Sequence, residues 1–147
     1  IENVVVRNCT FEDTFSLVSL KVTRQRGSYI RNIRYENCTH VNRDEEHKDC
    51  KWFRGAIYMD AFYGYDEFDA DTPAEITEGT PVVANIEFRD LTVDTIGGNA
   101  IYLCGLPESP FRNVHMENIQ ARGLKGMVHK NIENLLMGNV QIMEYGV

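Results

Sequence analysis

The chain has 147 residues, 43% of them hydrophobic and 25% charged, with a net charge of -7. Such a composition suits one globular domain, 1–147, and the acid excess argues against nucleic acid, which needs a concentrated basic surface. No apolar run approaches the roughly 18 residues of a membrane span, and an anionic substrate would have to meet a local basic patch.

The first element opens at once. Asn3-Val-Val-Val-Arg-Asn8 reads Asn, aliphatic, any, aliphatic or aromatic, any, Asn or Asp. The phrase returns as Asn32-Ile-Arg-Tyr-Glu-Asn37, Asn85-Ile-Glu-Phe-Arg-Asp90, Asn113-Val-His-Met-Glu-Asn118 and Asn134-Leu-Leu-Met-Gly-Asn139. Its starts lie 29, 53, 28 and 21 residues apart, and 53 reads as about two periods with an insertion. Self-similarity of this period marks a stacked-repeat architecture. Inside each phrase apolar residues alternate with polar ones, which is the period of a half-buried strand. No stretch sustains helical spacing, and the leucine-rich, ankyrin and tetratricopeptide signatures are absent.

These features predict an all-β parallel β-helix of roughly five or six coils, with Ile33, Tyr35, Ile86, Phe88, Val114 and Met116 inside. The Asn or Asp closing each phrase suits the sharp corner where a strand ends, because Asn tolerates left-handed backbone geometry. Asn8, Asn37, Asp90, Asn118 and Asn139 should form one ladder. Cys9 and Cys38 follow the corner and should stack as reduced thiols. Asn8-Cys-Thr10 and Asn37-Cys-Thr39 satisfy the glycosylation sequon, and the corner role explains both Asn without sugar. Ile1 already lies inside the first phrase. The expectation is therefore the carboxy-terminal piece of a longer protein, truncated at its amino terminus, whose exposed first coil invites self-association.

Further along stands Ser19-Leu-Lys-Val-Thr-Arg-Gln-Arg-Gly-Ser-Tyr-Ile-Arg-Asn-Ile33. Cys38 and Cys50 with His40 and His47 match no zinc-finger spacing, so no metal site and no cofactor is expected. Next comes Ala56-Ile-Tyr-Met-Asp-Ala-Phe-Tyr63, then an acidic stretch, 65–78, read as a solvated insertion loop without calcium-loop spacing. Gly79-Thr-Pro-Val-Val-Ala-Asn-Ile86 and Ala100-Ile-Tyr-Leu-Cys-Gly-Leu-Pro-Glu-Ser-Pro110 follow.

In that order these segments resemble the late coils of the polygalacturonases, glycoside hydrolase family 28. The matching features are an Arg-Ile-Lys-Thr segment with a Gly/Arg-rich turn, a strand ending in Asp-x-x-Tyr, and a Gly-Leu-Pro-Glu turn between strands. The resemblance implies a right-handed, pectate-lyase-like β-helix in a secreted enzyme that cleaves pectic polysaccharide by inverting hydrolysis. Inversion needs a general acid and a general base on opposite faces of the bond. The family's Asn-Thr-Asp segment, Asp-Asp pair and Gly-His-Gly segment do not occur here, so no catalytic residue is assigned and these 147 residues should be inactive alone.

What the resemblance leaves is substrate binding. Lys21 matches the motif lysine that meets a uronate carboxylate, and Tyr63 matches a tyrosine that either contacts a sugar ring or packs a coil corner. Ser19 stands where the family has an arginine, which favours rhamnogalacturonan or another pectic glycan over plain polygalacturonan. Arg24 and Arg26 either compensate for that loss or are solvated surface charges. The alternative function is a non-catalytic β-helix module for carbohydrate binding or adhesion. A lyase relative would need calcium and a basic arginine, and the Lys21 segment does not favour it.

Overall fold

The computed structural model describes residues 1–65 and 69–146. Asp66, Glu67 and Phe68 of the acidic stretch lie outside the described residues. The elements are β1 (Glu2–Arg7), β2 (Thr10–Glu12), β3 (Val18–Lys21), β4 (Tyr29–Asn42), α1 (Glu45–Lys48), β5 (Gly55–Asp60), β6 (Val82–Thr95), β7 (Asn99–Cys104), β8 (Phe111–Gly123), β9 (Lys125–Lys130) and β10 (Ile132–Glu144). The chain is all-β apart from the four-residue helix.

All strand pairings are parallel. The first sheet runs β1-β4-β6-β8-β10, with β2 also on β4, and the second runs β3-β5-β7-β9. From β2 onward the chain passes from one sheet to the other at every step. Each return adds a strand beside the equivalent one, so equivalent residues fall into cross-strand rows.

The repeat phrases occupy the first sheet in register. Ile33 pairs with Ile86 and Ile86 with Val114, while Tyr35 pairs with Phe88 and Phe88 with Met116. Five of these six side chains are buried and Tyr35 is half-buried, its ring 6.0 Å from that of Phe88. The second sheet packs Ile57, Met59, Ile101 and Leu103 into the same core.

Sequence had marked only the closing Asn as a corner. The opening Asn is one as well: Asn3, Asn32, Asn85, Asn113 and Asn134 have φ between 55° and 63°. Asn8, Asn37, Asp90, Asn118 and Asn139 have φ between 50° and 56°. Each left-handed residue bends the strand and resets the alternation. That is why buried positions in β4 run 30, 33 and 38, 40, 42 instead of keeping period two throughout.

Both rows are stitched by side-chain amides. In the opening row Asn32 Nδ2 donates to Asn3 Oδ1 (3.1 Å), Asn85 to Asn32 (3.1 Å), Asn113 to Asn85 (3.0 Å) and Asn134 to Asn113 (2.8 Å). In the closing row Asn37 donates to Asn8, Asn118 to Asp90 and Asn139 to Asn118. The chain of bonds breaks between Asp90 and Asn37, because a carboxylate has no hydrogen to donate.

Two expectations change here. Asn85 sits directly on Asn32, so the 53-residue interval is one step between adjacent strands carrying a long insertion, not two periods. The insertion is also tied down, not merely solvated. Ala70 is buried, its carbonyl accepts from Asn131 Nδ2 at 2.8 Å, and Asp71 pairs with Lys130 at 2.5 Å. All four cysteines are unbridged, with Cys38 and Cys104 buried and Cys9 half-buried beside Cys38.

Candidate functional site

The second sheet's outer side carries the chemistry. With period two, Ser19 and Lys21 of β3 face the same way, in register with Tyr58 and Asp60 of β5. Gly55–Asp60 is buried at every position, so its outer side chains are roofed by neighbouring loops.

Asp60 is the centre of that roofed row, 1% exposed. Its Oδ2 accepts from the Tyr58 hydroxyl at 2.7 Å and its Oδ1 from the Phe62 backbone N–H at 3.0 Å. The Arg54 Nε lies 4.0 Å from Oδ2 and offsets the charge. Burial first, then the Asp60 charge and hydrogen bond, push the Tyr58 hydroxyl pKa upward. Burial likewise pushes Tyr102 up to about 12 and Cys104 up to about 11. All three stay protonated at neutral pH.

Above this floor opens a cleft of about 800 Å³, whose lining includes Lys21, Lys51, Trp52, Arg54, Tyr63 and Tyr65. Lys21 ends β3 and is exposed, with no ion-pair partner among the described residues. Its ammonium lies 5.0 Å from the Tyr63 ring centroid and 5.8 Å from that of Tyr58, within cation–π range. Tyr63 is 44% exposed, and its backbone N–H donates to Val22 O at 3.3 Å. Gly64 follows at φ +91°, a conformation that lets the chain turn away and leave the ring on the cleft rim. The structure thus brings together the two residues that sequence selected, Lys21 and Tyr63.

It separates Arg24 from them. The Arg24 guanidinium grips Glu108 with two bonds, 2.6 and 2.9 Å, and the Glu108 side chain is only 3% exposed. That fork holds the Glu108 carboxyl below its usual range. Arg24 is therefore neither a solvated charge nor a replacement for the missing arginine; it ties the segment after β3 to the Gly-Leu-Pro-Glu turn. Arg26 remains exposed, 6.0 Å from the Tyr63 ring. Gly27 follows both arginines at φ +62°, where a Cβ would lie 2.7 Å from the Glu78 carbonyl oxygen.

Sequence reasoning missed Lys51, Trp52, Arg54, Tyr58 and Asp60. The available signal was Lys51-Trp-Phe-Arg54, which sets two aromatics between two cations and includes the chain's sole tryptophan. His47 stacks on Phe15 at 3.6 Å and meets Asn42 Oδ1 at 3.2 Å. Among the described residues no group of three or more His, Cys, Asp or Glu side chains could hold a metal ion. No helix there is long and apolar enough to cross a membrane.

No protein-family model, curated protein or solved structure matches the chain.

Proposed function

We propose that the chain forms coils of a right-handed parallel β-helix whose second-sheet cleft binds an acidic pectic glycan, as part of a polygalacturonase-like, secreted glycoside hydrolase. The observation that carries this reading is the pairing of the Lys21 ammonium, without a counter-ion among the described residues, with an exposed tyrosine ring 5.0 Å away. A uronate offers the matching pair of surfaces: a carboxylate for the ammonium and a ring face for the tyrosine. The uniformly parallel pairing and the in-register repeat phrases support the helical coiling.

Hydrolysis itself is proposed to depend on carboxylates outside these 147 residues. Among the described residues lining the cleft, Asp60 is the one carboxylate, and inverting hydrolysis needs two. Asp60 is also buried and already accepts two hydrogen bonds, so it serves as an anchor for Tyr58 and the Phe62 backbone. The same observation favours the second reading, a non-catalytic carbohydrate-binding module. A third element of the proposal is self-association through the first strand, supported by exposed Ile1, Val4 and Val5.

Titration calorimetry of the chain with oligogalacturonides should give saturable binding that weakens with added salt and is lost in Lys21→Ala. Equal binding of neutral glucans, or none by either ligand, would contradict the acidic-glycan reading. Reducing ends released from pectin by the isolated chain would contradict the assignment of the acid and base elsewhere.

A further inference from the structure

The first sheet has two open edges, and they are unlike. At one, β1 pairs only with β4; at the other, β10 pairs only with β8. Each edge presents a free row of backbone N–H and C=O groups, a template for another strand. The apolar layer is open at both ends as well. Val4 is 39% exposed at the β1 end and Met137 49% at the β10 end. Yet the rows they belong to are buried in the strands between, at Ile33, Ile86 and Val114 for Val4 and at Phe88 and Met116 for Met137.

The Asn rows give these ends a direction. In every bond of both rows the later residue donates its Nδ2 to the Oδ1 of the one before it. The opening row therefore finishes with an unused Nδ2 on Asn3 and an unused Oδ1 on Asn134. The closing row finishes with the same pair on Asn8 and Asn139. None of these four groups has a hydrogen-bond partner among the described residues. The two donors stand five residues apart, and so do the two acceptors. Setting Asn3 beside Asn134 and Asn8 beside Asn139 continues the register of the whole sheet, so that Val4 meets Leu135 and Val6 meets Met137. Glu2 and Glu133 come together there, each already paired with an arginine, Arg31 at 2.7 Å and Arg112 at 3.4 Å.

We propose that β1 of one copy adds to β10 of another, head to tail, with Asn3 and Asn8 donating to Asn134 and Asn139. This deepens the self-association proposed above and rests on it. The occupant is a second copy because one chain carries both halves of the match: donors against acceptors at equal spacing, with the apolar rows in line. The two contact surfaces differ, so each joint leaves a free β1 and a free β10, and assembly is open-ended instead of stopping at a dimer. The second sheet adds little to the joint. On its edge strand β9 the Gly126 N–H is already taken by Glu144 Oε1 at 2.9 Å. The same step would also bring Lys21 beside Lys130, which Asp71 holds at 2.5 Å. Charged groups on an edge oppose strand addition, so the first sheet carries the contact.

Sedimentation velocity of the 147-residue chain over a concentration series should show species that grow past the dimer. Val4→Lys blocks β1 and Met137→Lys blocks β10, each by setting an ammonium into the apolar layer of the joint. Either variant alone should stay monomeric. Their equimolar mixture should give a dimer that grows no further, since only β1 of the Met137→Lys chain and β10 of the Val4→Lys chain remain usable. Asn3→Asp leaves the apolar layer alone. It keeps the oxygen that accepts from Asn32, loses the donor, and sets a carboxylate against Asn134 Oδ1. It should weaken association about 2- to 12-fold, the worth of one hydrogen bond, at an unchanged melting temperature. A Met137→Lys chain that dimerises alone while Val4→Lys does not would mean that β1 pairs with β1. That result, or an Asn3→Asp chain that associates as tightly as the unsubstituted one, would overturn this inference while first-strand self-association stands. An unsubstituted chain that stays monomeric at every concentration would overturn both.

Discussion

The outer faces of the two sheets differ in how completely the protein satisfies its own side chains. On the first sheet the two Asn rows bond along the stack, and the charges around them pair with one another: Arg34 with Glu87, Arg89 with Glu117 on the next strand and Glu87 on its own, and Arg31 with Glu2. On the second sheet Lys21 has no counter-ion and Ser19 no hydrogen-bond partner among the described residues, and Trp52 and Tyr63 lie open. Groups already spent on holding rungs together are architecture, and groups left with unused charge, hydrogen-bonding capacity and ring surface are available to a ligand.

The largest effect should come from the core that both faces share. Phe88→Ala, in a fully buried position with its ring tilted against Tyr35, should destabilise by about 3–5 kcal/mol in a denaturant melt. Binding by the fraction that remains folded should be unchanged. A loss below 1 kcal/mol would mean that the sheets do not share this core.

Lys21→Ala sharpens the comparison on the open face. Removing one charge-assisted contact of about 1.5–3 kcal/mol should weaken acidic glycan binding roughly 10- to 150-fold, with stability changed by less than about 0.5 kcal/mol. A large stability loss with binding following it would make Lys21 structural. Asp60→Ala tests the floor beneath: it strands the Tyr58 hydroxyl and the Phe62 N–H, at a cost of about 1–3 kcal/mol in stability.

A smaller, pH-dependent effect comes from inside the first sheet. His40 is fully buried, its Nε2 donates to Thr14 O at 2.8 Å, and its Nδ1 has no hydrogen-bond partner among the described residues. Burial lowers its pKa, against smaller opposing pulls from the Thr14 carbonyl, Asp94 and Asp13. Below the unfolded value, about 6.5, the unfolded chain takes up a proton that the folded chain refuses. Stability should therefore fall as pH drops from 7.5 to 5.5, and His40→Phe should flatten that slope. The smallest effect concerns the broken row. Asp90→Asn supplies the donor that Asn37 lacks and should stabilise by about 0.5–1.5 kcal/mol in the same melt.

The all-β, parallel architecture was legible because it is local: alternation within six residues and a repeat of phrases. The closing Asn corners were legible for the same reason. The opening Asn corners were equally visible, yet their left-handed geometry follows only from the phase reset between Ile30 and Ile33. The 53-residue interval was misread because periodicity cannot say that one step between adjacent strands carries two excursions, 43–54 and 61–81, on either side of β5. Arg24 and Glu108 stand 84 residues apart, and no sequence pattern joins them. Asp60 and Tyr58 were hidden differently. Alternation marks outer positions as solvated, and here loops carrying Arg54 and Phe62 cover them. Lys21 and Tyr63 came from resemblance, and their meeting across the cleft rim is a property of the folded chain.

The difference between the two faces can be read in one titration. Nitrogen-labelled protein shows the Trp52 indole N–H, the backbone amides of Val18–Lys21 and the side-chain amides of the Asn rows as separate signals in one spectrum. On adding an oligogalacturonide, the Trp52 indole and the β3 amides should shift saturably, and the amides of Asn32, Asn85 and Asn113 should stay in place. Shifts in those Asn amides with a silent β3 would put the ligand on the self-satisfied face and contradict the account.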